Sequence, residues 1–227
     1  MLLEADSVNR SRIAAALVAA ATLSLANPSV VSADTYEEGL AAYEQRRYQR
    51  ALDLWFPLAL AGHCRAQFWL GELADRHSIH RPTTSVELDE VTAAKLKDSF
   101  TAAEFWYVEA AEQGHTGAMR ELAYYYQRNI VPAHWLVKAD FWQRRAADSG
   151  DLWSMRELMD EYYNDDPVES LKWALLLRER AGSLDEVDTA IASLSQRLTD
   201  EDVSLARREA RRWEADRHPP TIGSPCE

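Results

Sequence analysis

AEFWYVEAAEQGHTGAMRELAYYY, residues Ala103–Tyr126, returns in altered form as Ala139–Tyr162, ADFWQRRAADSGDLWSMRELMDEY. Seven of the shared residues, all alanine, glycine, leucine or aromatic, recur at a constant spacing of 36 positions: Ala103 and Ala139, Trp106 and Trp142, Ala110 and Ala146, Ala111 and Ala147, Gly114 and Gly150, Leu122 and Leu158, Tyr126 and Tyr162. A fixed period of this length is typical of stacked helix pairs, because each pair buries its apolar side only against a neighbour. The sequence therefore predicts an all-α fold, an α/α superhelical solenoid of helix hairpins.

A further copy precedes these two. Its small and apolar positions lie 52 residues before those of the Ala103 copy: Ala51, Ala59, Gly62, Ala66 and Leu70. The excess over one period is accounted for by a polar insertion, residues 77–98, whose latter half is expected to prolong the following helix. A fourth, eroded copy, Glu169–Ala181, follows Pro167, and a polar helix after Thr199 is suited to closing the array.

A glycine stands where the first helix of each copy must end: Gly62, Gly114, Gly150 and Gly182. Glycine tolerates the left-handed backbone of a helix C-cap. The residue that follows it is His63, His115, Asp151 or Ser183. This series favours a helix N-cap over a metal ligand. Two later pairs, Ser183 with Glu186 and Thr199 with Asp202, have the spacing of further caps.

The N-terminal residues are interpreted separately from the fold. Arg10 and Arg12 precede the apolar run Ile13–Ala26, and a small-residue site ends at Ala33. This pattern predicts an export signal, residues 1–33, cleaved near Ala33, and therefore a periplasmic or secreted protein. The alternative is a buried N-terminal helix. Because two acidic residues precede the run, translation starting nearer Val8 is a further hypothesis.

Charge and cysteine content restrict the partners. The 227 residues carry a formal net charge of −12, and removal of 1–33 leaves it unchanged. Such a charge argues against nucleic acid and anionic membrane surfaces, which need a basic footprint. No membrane span is expected once the signal is removed. Cys64 and Cys226 are the only cysteines; they are able to pair in an oxidising compartment or to remain free thiols.

The repeat core resembles that of the Sel-1-like repeat family, relatives of the tetratricopeptide repeats with the pattern A-x-x-W/Y-x-x-x-A-x-x-G-x-x-x-A-x-x-x-L. The resemblance covers about Tyr36–Trp213. The opening GLAAYEQRRYQRALDLWFPLALAGHCRAQFWLGELA is similar to the first repeat of exported bacterial members, and LSQRLTDEDVSLARREARRW to their terminal helix. The resemblance implies a repeat domain over residues 34–216. Residues 217–227, RHPPTIGSPCE, are expected to form a flexible tail.

The resemblance also implies how the protein works. Members of the family are adaptors or scaffolds whose concave surface binds a protein or peptide. Cysteine-rich exported relatives are associated with binding of penicillin-like compounds. This chain lacks their paired cysteines, and that activity is not carried over.

Candidate binding residues are the polar and aromatic positions on the inner helices that the repeat core leaves free: Trp69, Arg120, Glu121, Tyr124, Tyr125, Arg156 and Glu157. Aromatic residues and arginine most often anchor interfaces. The alternative is that the tyrosines pack between repeats and the charges are solvated.

Three other groups of residues have spacings that also occur in functional sites. His77 and His80, with acidic residues downstream, have a spacing compatible with a metal, but no HExxH motif or cysteine partner accompanies them. The series Trp106, Trp142 and Trp173 fits core packing better than a sugar platform. Asp160, Glu161, Asp165 and Asp166 fit a solvated acidic turn better than a cation site.

No nucleophile motif and no glycine-rich phosphate loop stands out. We therefore expect a non-enzymatic adaptor of the bacterial cell envelope, without cofactor or metal. The alternatives are a small cell-wall-active or β-lactam-binding hydrolase that uses the groove, and an accessory protein of polysaccharide export. The sequence does not indicate the oligomeric state.

Overall fold

The computed structural model describes residues 33–83, 85–129, 134–216 and Cys226. Most of these residues are helical and none forms a strand, so the all-α prediction is confirmed. None of their helices combines the length and the apolar character needed to cross a membrane. The export segment predicted for residues 1–33, apart from the backbone of Ala33, and the tail predicted for 217–227, apart from Cys226, lie outside the described residues.

Eleven helices are present in the described residues: α1 Ala33–Glu44, α2 Tyr48–Leu60, α3 Cys64–His77, α4 Glu90–Lys95, α5 Ser99–Glu112, α6 Thr116–Arg128, α7 His134–Asp148, α8 Leu152–Asp165, α9 Pro167–Ala181, α10 Asp185–Arg197 and α11 Asp200–Asp216. The helix in the insertion, α4, does not prolong α5. Asp98 ends the insertion by accepting a hydrogen bond from the N–H of Thr101 at 2.8 Å, which starts a new helix.

Most helices of the array pack on a helix that is adjacent in the chain. Four antiparallel pairs, α2 with α3, α5 with α6, α7 with α8 and α9 with α10, are joined by short corners. The second helix of each of the first three pairs also packs on the first helix of the next pair, and α11 packs on α9.

Three of the corners have the same hydrogen bonds. Gly62, Gly114 and Gly150 have φ values of 89°, 94° and 97°. Each glycine N–H donates to the carbonyl three residues back, and the following N–H donates to the carbonyl five residues back, at 2.8–3.1 Å. This is a Schellman C-cap, whose left-handed residue is most often glycine.

The residue after each glycine starts the next helix. The N–H of Ala66 donates to Nδ1 of His63 at 3.2 Å, and the N–H of Ala118 donates to Nδ1 of His115 at 3.1 Å. Asp151 accepts the equivalent bond from Ser154 at 2.8 Å. The prediction that these residues are N-caps is confirmed.

The fourth corner departs from this pattern. Gly182 has a positive φ of 83°, but its N–H donates to Arg178 four residues back. The N-cap of α10 is Leu184, which has no capping side chain, and the hydroxyl of Ser183 contacts Asp188 instead of the helix start. The predicted capping box of Ser183 and Glu186 is therefore wrong, because the chain enters α10 one residue later than in the other copies.

The tryptophan series lies in the core. Trp106, Trp142 and Trp173 are buried, as the packing interpretation predicts, and so present no face to a sugar. Cys64 and Cys226 form a disulfide bond, with their Cα atoms 5.4 Å apart. Of the two states that the sequence left open, the structure thus has the paired one.

Candidate functional site

The surface of the second helices is built from one repeated contact. In α3, α6 and α8, the second helices of their pairs, the residue five positions after the N-cap contacts the first residues of the second helix in the following pair. Phe68 stacks on His115 with ring centroids 4.5 Å apart, and Arg120 Nη1 donates to Asp151 Oδ1 at 3.1 Å. In the next copy Arg156 pairs with Glu186. Equivalent positions of successive copies are therefore joined by ring stacking in one case and by ion pairs in the other two.

A shallow depression of about 200 Å³ lies across three of these helices. Its lining comes from α3, α6 and α8: Arg76, Arg120, Glu121, Tyr124 and Trp153. Tyr124 is 44% exposed and Trp153 40% exposed, so each presents a large part of its aromatic side chain to solvent. The depression thus combines two accessible aromatic rings with charged groups.

The charges form a continuous network. Arg76 pairs with Glu72 at 2.7 Å on its own helix and with Glu121 at 2.8 Å on α6. Glu121 also contacts Arg120 at 3.5 Å, and Arg120 contacts Asp151 at 3.1 Å. Carboxylates and arginines therefore link the second helices of three successive pairs.

Burial shapes the electrostatics of this network. Burial raises the pKa of Glu72, while the hydrogen bond from Tyr107 and the charge of Arg76 act in the opposite direction. The Tyr107 hydroxyl donates to Glu72 Oε1 at 2.7 Å. Burial opposes the charge on Arg76, but Glu72 and Glu121 outweigh it and raise the pKa of the guanidinium. The arginine therefore stays protonated and fixed at one end of the depression.

A cation holds the exposed tyrosine in place. The guanidinium of Arg128 lies 4.7 Å from the ring centroid of Tyr124 and pairs with Asp75 at 2.6 Å. A ring stacked in this way loses little further freedom when a partner covers it, which favours binding.

The structure brings only some of the predicted binding residues to this surface. Arg120, Glu121 and Tyr124 line the depression. Arg156 is exposed and paired with Glu186, and Glu157 is half-buried on α8. Both lie on α8 but do not line the depression.

Two predicted residues pack on or within the core: Tyr125 is buried, and Trp69 is partly buried. Tyr125 is 1% exposed, and its hydroxyl donates to the carbonyl of Phe100 at 3.0 Å. The indole N–H of Trp69 donates to the hydroxyl of Tyr36 at 2.9 Å while its ring stacks on Trp55. Tyr125 thus has almost no surface for a partner, whereas Trp69 keeps a part of its side chain exposed, and both rings support the helices that form this surface.

Arg76 and Trp153 line the depression and were not predicted. Trp153 stands 36 positions after Gly117, so a bulky side chain replaces a glycine at one repeat position. Arg76 stands 52 positions before Arg128, so an arginine recurs there. Both signals are visible in the aligned copies, outside the repeat core.

The other groups singled out in the sequence are engaged elsewhere. His77 stacks on Tyr48 with centroids 3.9 Å apart, and His80 Nδ1 lies 3.3 Å from the carbonyl of Ser78. Asp166 caps α9 by accepting from the N–H of Glu169 at 3.1 Å. In the part of the chain that the structure describes, no three histidine, cysteine or acidic side chains are grouped so as to hold a metal ion.

The sequence matches no model of a known protein family, and comparison with curated proteins finds no relative.

Proposed function

We propose that this protein is a non-enzymatic adaptor, a solenoid of Sel-1-like helix pairs that binds a protein or peptide in the depression formed by α3, α6 and α8. The observation that carries the proposal is the exposure of Tyr124 and Trp153 beside arginines that are already held by carboxylates. Aromatic and arginine side chains in one site are the commonest anchors of protein interfaces.

The equivalence of the corners supports a repeating stack. Gly62, Gly114 and Gly150 make the same pair of hydrogen bonds, and each is followed by a capping side chain. Packing of second helices on the next pair, and the Phe68–His115 and Arg120–Asp151 contacts, join neighbouring copies. A chain in which each unit contacts mainly its neighbours is the arrangement of solenoids.

Location in the cell envelope is part of the proposal. The apolar run Ile13–Ala26 after two arginines has the composition of an export signal. The Cys64–Cys226 disulfide is stable in an oxidising compartment such as the periplasm. Cell fractionation tests this part, and a full-length band in the cytoplasm alone would contradict it.

The binding surface is tested by site-specific photo-crosslinking in whole cells. A photoreactive phenylalanine is placed at Tyr124 or Trp153, and for comparison at Phe141, an aromatic residue on α7 that is 54% exposed. We expect one defined crosslinked species from the first two positions and none of that species from Phe141.

Substitution tests the same surface independently. The double variant Tyr124→Ala/Trp153→Ala, which leaves the core aromatics in place, should weaken binding of the identified partner at least tenfold, since two interface anchors are lost. Phe141→Ala is the matched control and should leave affinity within twofold. Equal affinity of the double variant and the native chain would refute the proposed surface.

A further inference from the structure

A second depression lies between α9 and α11, on helices that contribute nothing to the depression between α3, α6 and α8. It has a volume of about 400 Å³ and is lined by Leu175, Arg178, Glu179, Arg207, Ala210 and Arg211. Leu175 and Ala210 are its apolar residues, and three of the other four are arginines. We call it the arginine groove.

The arginines of this groove differ from those in and beside the depression formed by α3, α6 and α8. Arg76, Arg120, Arg128 and Arg156 each have a carboxylate within 3.1 Å. Arg207 and Arg211 take part in none of the ion pairs among the described residues. Arg178 forms one long ion pair, in which its Nη1 lies 3.9 Å from Oδ1 of Asp188. The groove therefore keeps two guanidinium groups, those of Arg207 and Arg211, outside the ion pairs of the described residues.

The net negative charge of the chain makes the arginine groove selective for short acidic ligands. The whole chain carries −12, so an extended polyanion is repelled over most of the surface. A short acidic segment, by contrast, is able to contact the arginines alone. Glu179 at the side of the groove further disfavours a dense cluster of phosphates.

The geometry fits carboxylates on a peptide. Arg207 and Arg211 are one helical turn apart, about 6 Å along the axis. Carboxylates on alternate residues of an extended peptide are separated by about 6.6 Å, so one peptide is able to pair with both guanidinium groups. Leu175 and Ala210 offer apolar surface to a hydrocarbon side chain of the same peptide.

We propose that the arginine groove is a second binding site, which takes a short acidic peptide segment containing apolar residues. The groove would let the protein hold two ligands at once, one at each depression. The proposal is independent of the function proposed above, because the two depressions share no residue.

The test uses fluorescence anisotropy with a labelled hexapeptide, Glu-Leu-Glu-Glu-Leu-Glu, and the purified disulfide-bonded chain. The probe should bind the native protein, and the double variant Arg207→Gln/Arg211→Gln should weaken its affinity at least tenfold. The control Arg50→Gln/Arg208→Gln removes the same charge from exposed positions outside the groove and should change affinity less than twofold. Thermal melts of both variants verify the fold.

A charge reversal gives a second readout that loss of folding does not imitate. The variant Arg207→Glu/Arg211→Glu should bind the corresponding lysine-leucine peptide in preference to the glutamate peptide. Absence of glutamate-peptide binding to the native chain, equal losses in the groove and control variants, or binding of pyrophosphate without binding of the peptide would each overturn the proposal.

Discussion

Replacing His115 by aspartate should remove part of the acid sensitivity of this protein. Nδ1 of His115 accepts the N–H of Ala118, so the ring caps α6 only while that nitrogen carries no proton. Burial lowers the pKa of His115 to about 4, and the nearby Arg65 and Arg120 act in the same direction. An unfolded histidine has a pKa of about 6.5.

The sign follows from these two values. Above pH 6.5 both states are neutral, and the contribution of the neutral cap to stability is complete. As the pH falls from 6.5 towards 4, the unfolded chain takes up the proton first and stability is lost. At pH 5 this loss is about 2 kcal/mol relative to pH 8, and fully developed below pH 4 it is about 3 kcal/mol.

The assay is urea unfolding followed by tryptophan fluorescence at pH 5 and pH 8. In the His115→Asp variant the drop in unfolding free energy between these pH values should be smaller than in the native chain by about 2 kcal/mol. The absolute stability at pH 8 also changes, since Phe68 loses its stacking partner, and it is therefore not the criterion. Titration of His63 affects both proteins alike and cancels.

The reciprocal change provides the control. Asp151 occupies the same place in the next copy, so Asp151→His should increase the pH dependence, all the more because Arg120 lies beside it. An identical drop between pH 8 and pH 5 in native, His115→Asp and Asp151→His proteins would refute the assignment of the cap to the neutral imidazole.

Three further predictions concern stability. Leu122→Ala should lower the free energy of unfolding in urea by about 2–5 kcal/mol, because the side chain is fully buried. Leu136→Ala, at an exposed position, should lower it by less than about 0.5 kcal/mol. Equal effects would contradict the assigned core. Gly114→Ala should lower the unfolding free energy by about 1–2 kcal/mol, since its φ of 94° strains any residue with a Cβ atom, and an unchanged midpoint would contradict the corner geometry. Replacing both Cys64 and Cys226 by serine should lower the free energy of unfolding by about 4–5 kcal/mol, because the disulfide closes a loop across 162 positions. A thermal melt of the native chain that is unchanged by a reducing agent would contradict this prediction.

The corners of the fold were predictable because they depend on local chemistry. Gly114 and His115 sit at a helix end whose unpaired backbone groups only a few residue types are able to satisfy. Their recurrence as Gly150 and Asp151, with the same hydrogen bonds, identifies the boundary of each helix from the sequence alone. Gly182 shows the limit, because its neighbour Ser183 has a capping residue type but not the capping position.

The binding surface was less predictable because it depends on neighbouring helices. Tyr124, Tyr125 and Tyr126 are consecutive on α6 and point about 100° apart around the axis. Only the packing of α6 on α5 decides their roles: Tyr125 reaches the carbonyl of Phe100, Tyr126 reaches Glu104, and Tyr124 remains outside. Sequence spacing describes one helix and contains no information about the atoms opposite each ring.

Arg120 joins the architecture to the proposed binding site. It lines the depression beside Tyr124 and also pairs with Asp151, the side chain that caps α8. A partner carboxylate that drew the Arg120 guanidinium away from Asp151 would thus loosen the contact between two copies. A partner that accepted hydrogen bonds from the remaining N–H groups of Arg120 would leave this contact intact. Because an unpaired Asp151 costs stability, the second arrangement is favoured. We therefore expect a bound partner to use Tyr124 and Trp153 for apolar contact and Arg120 as a shared donor, so that binding reinforces the stacking of the helix pairs.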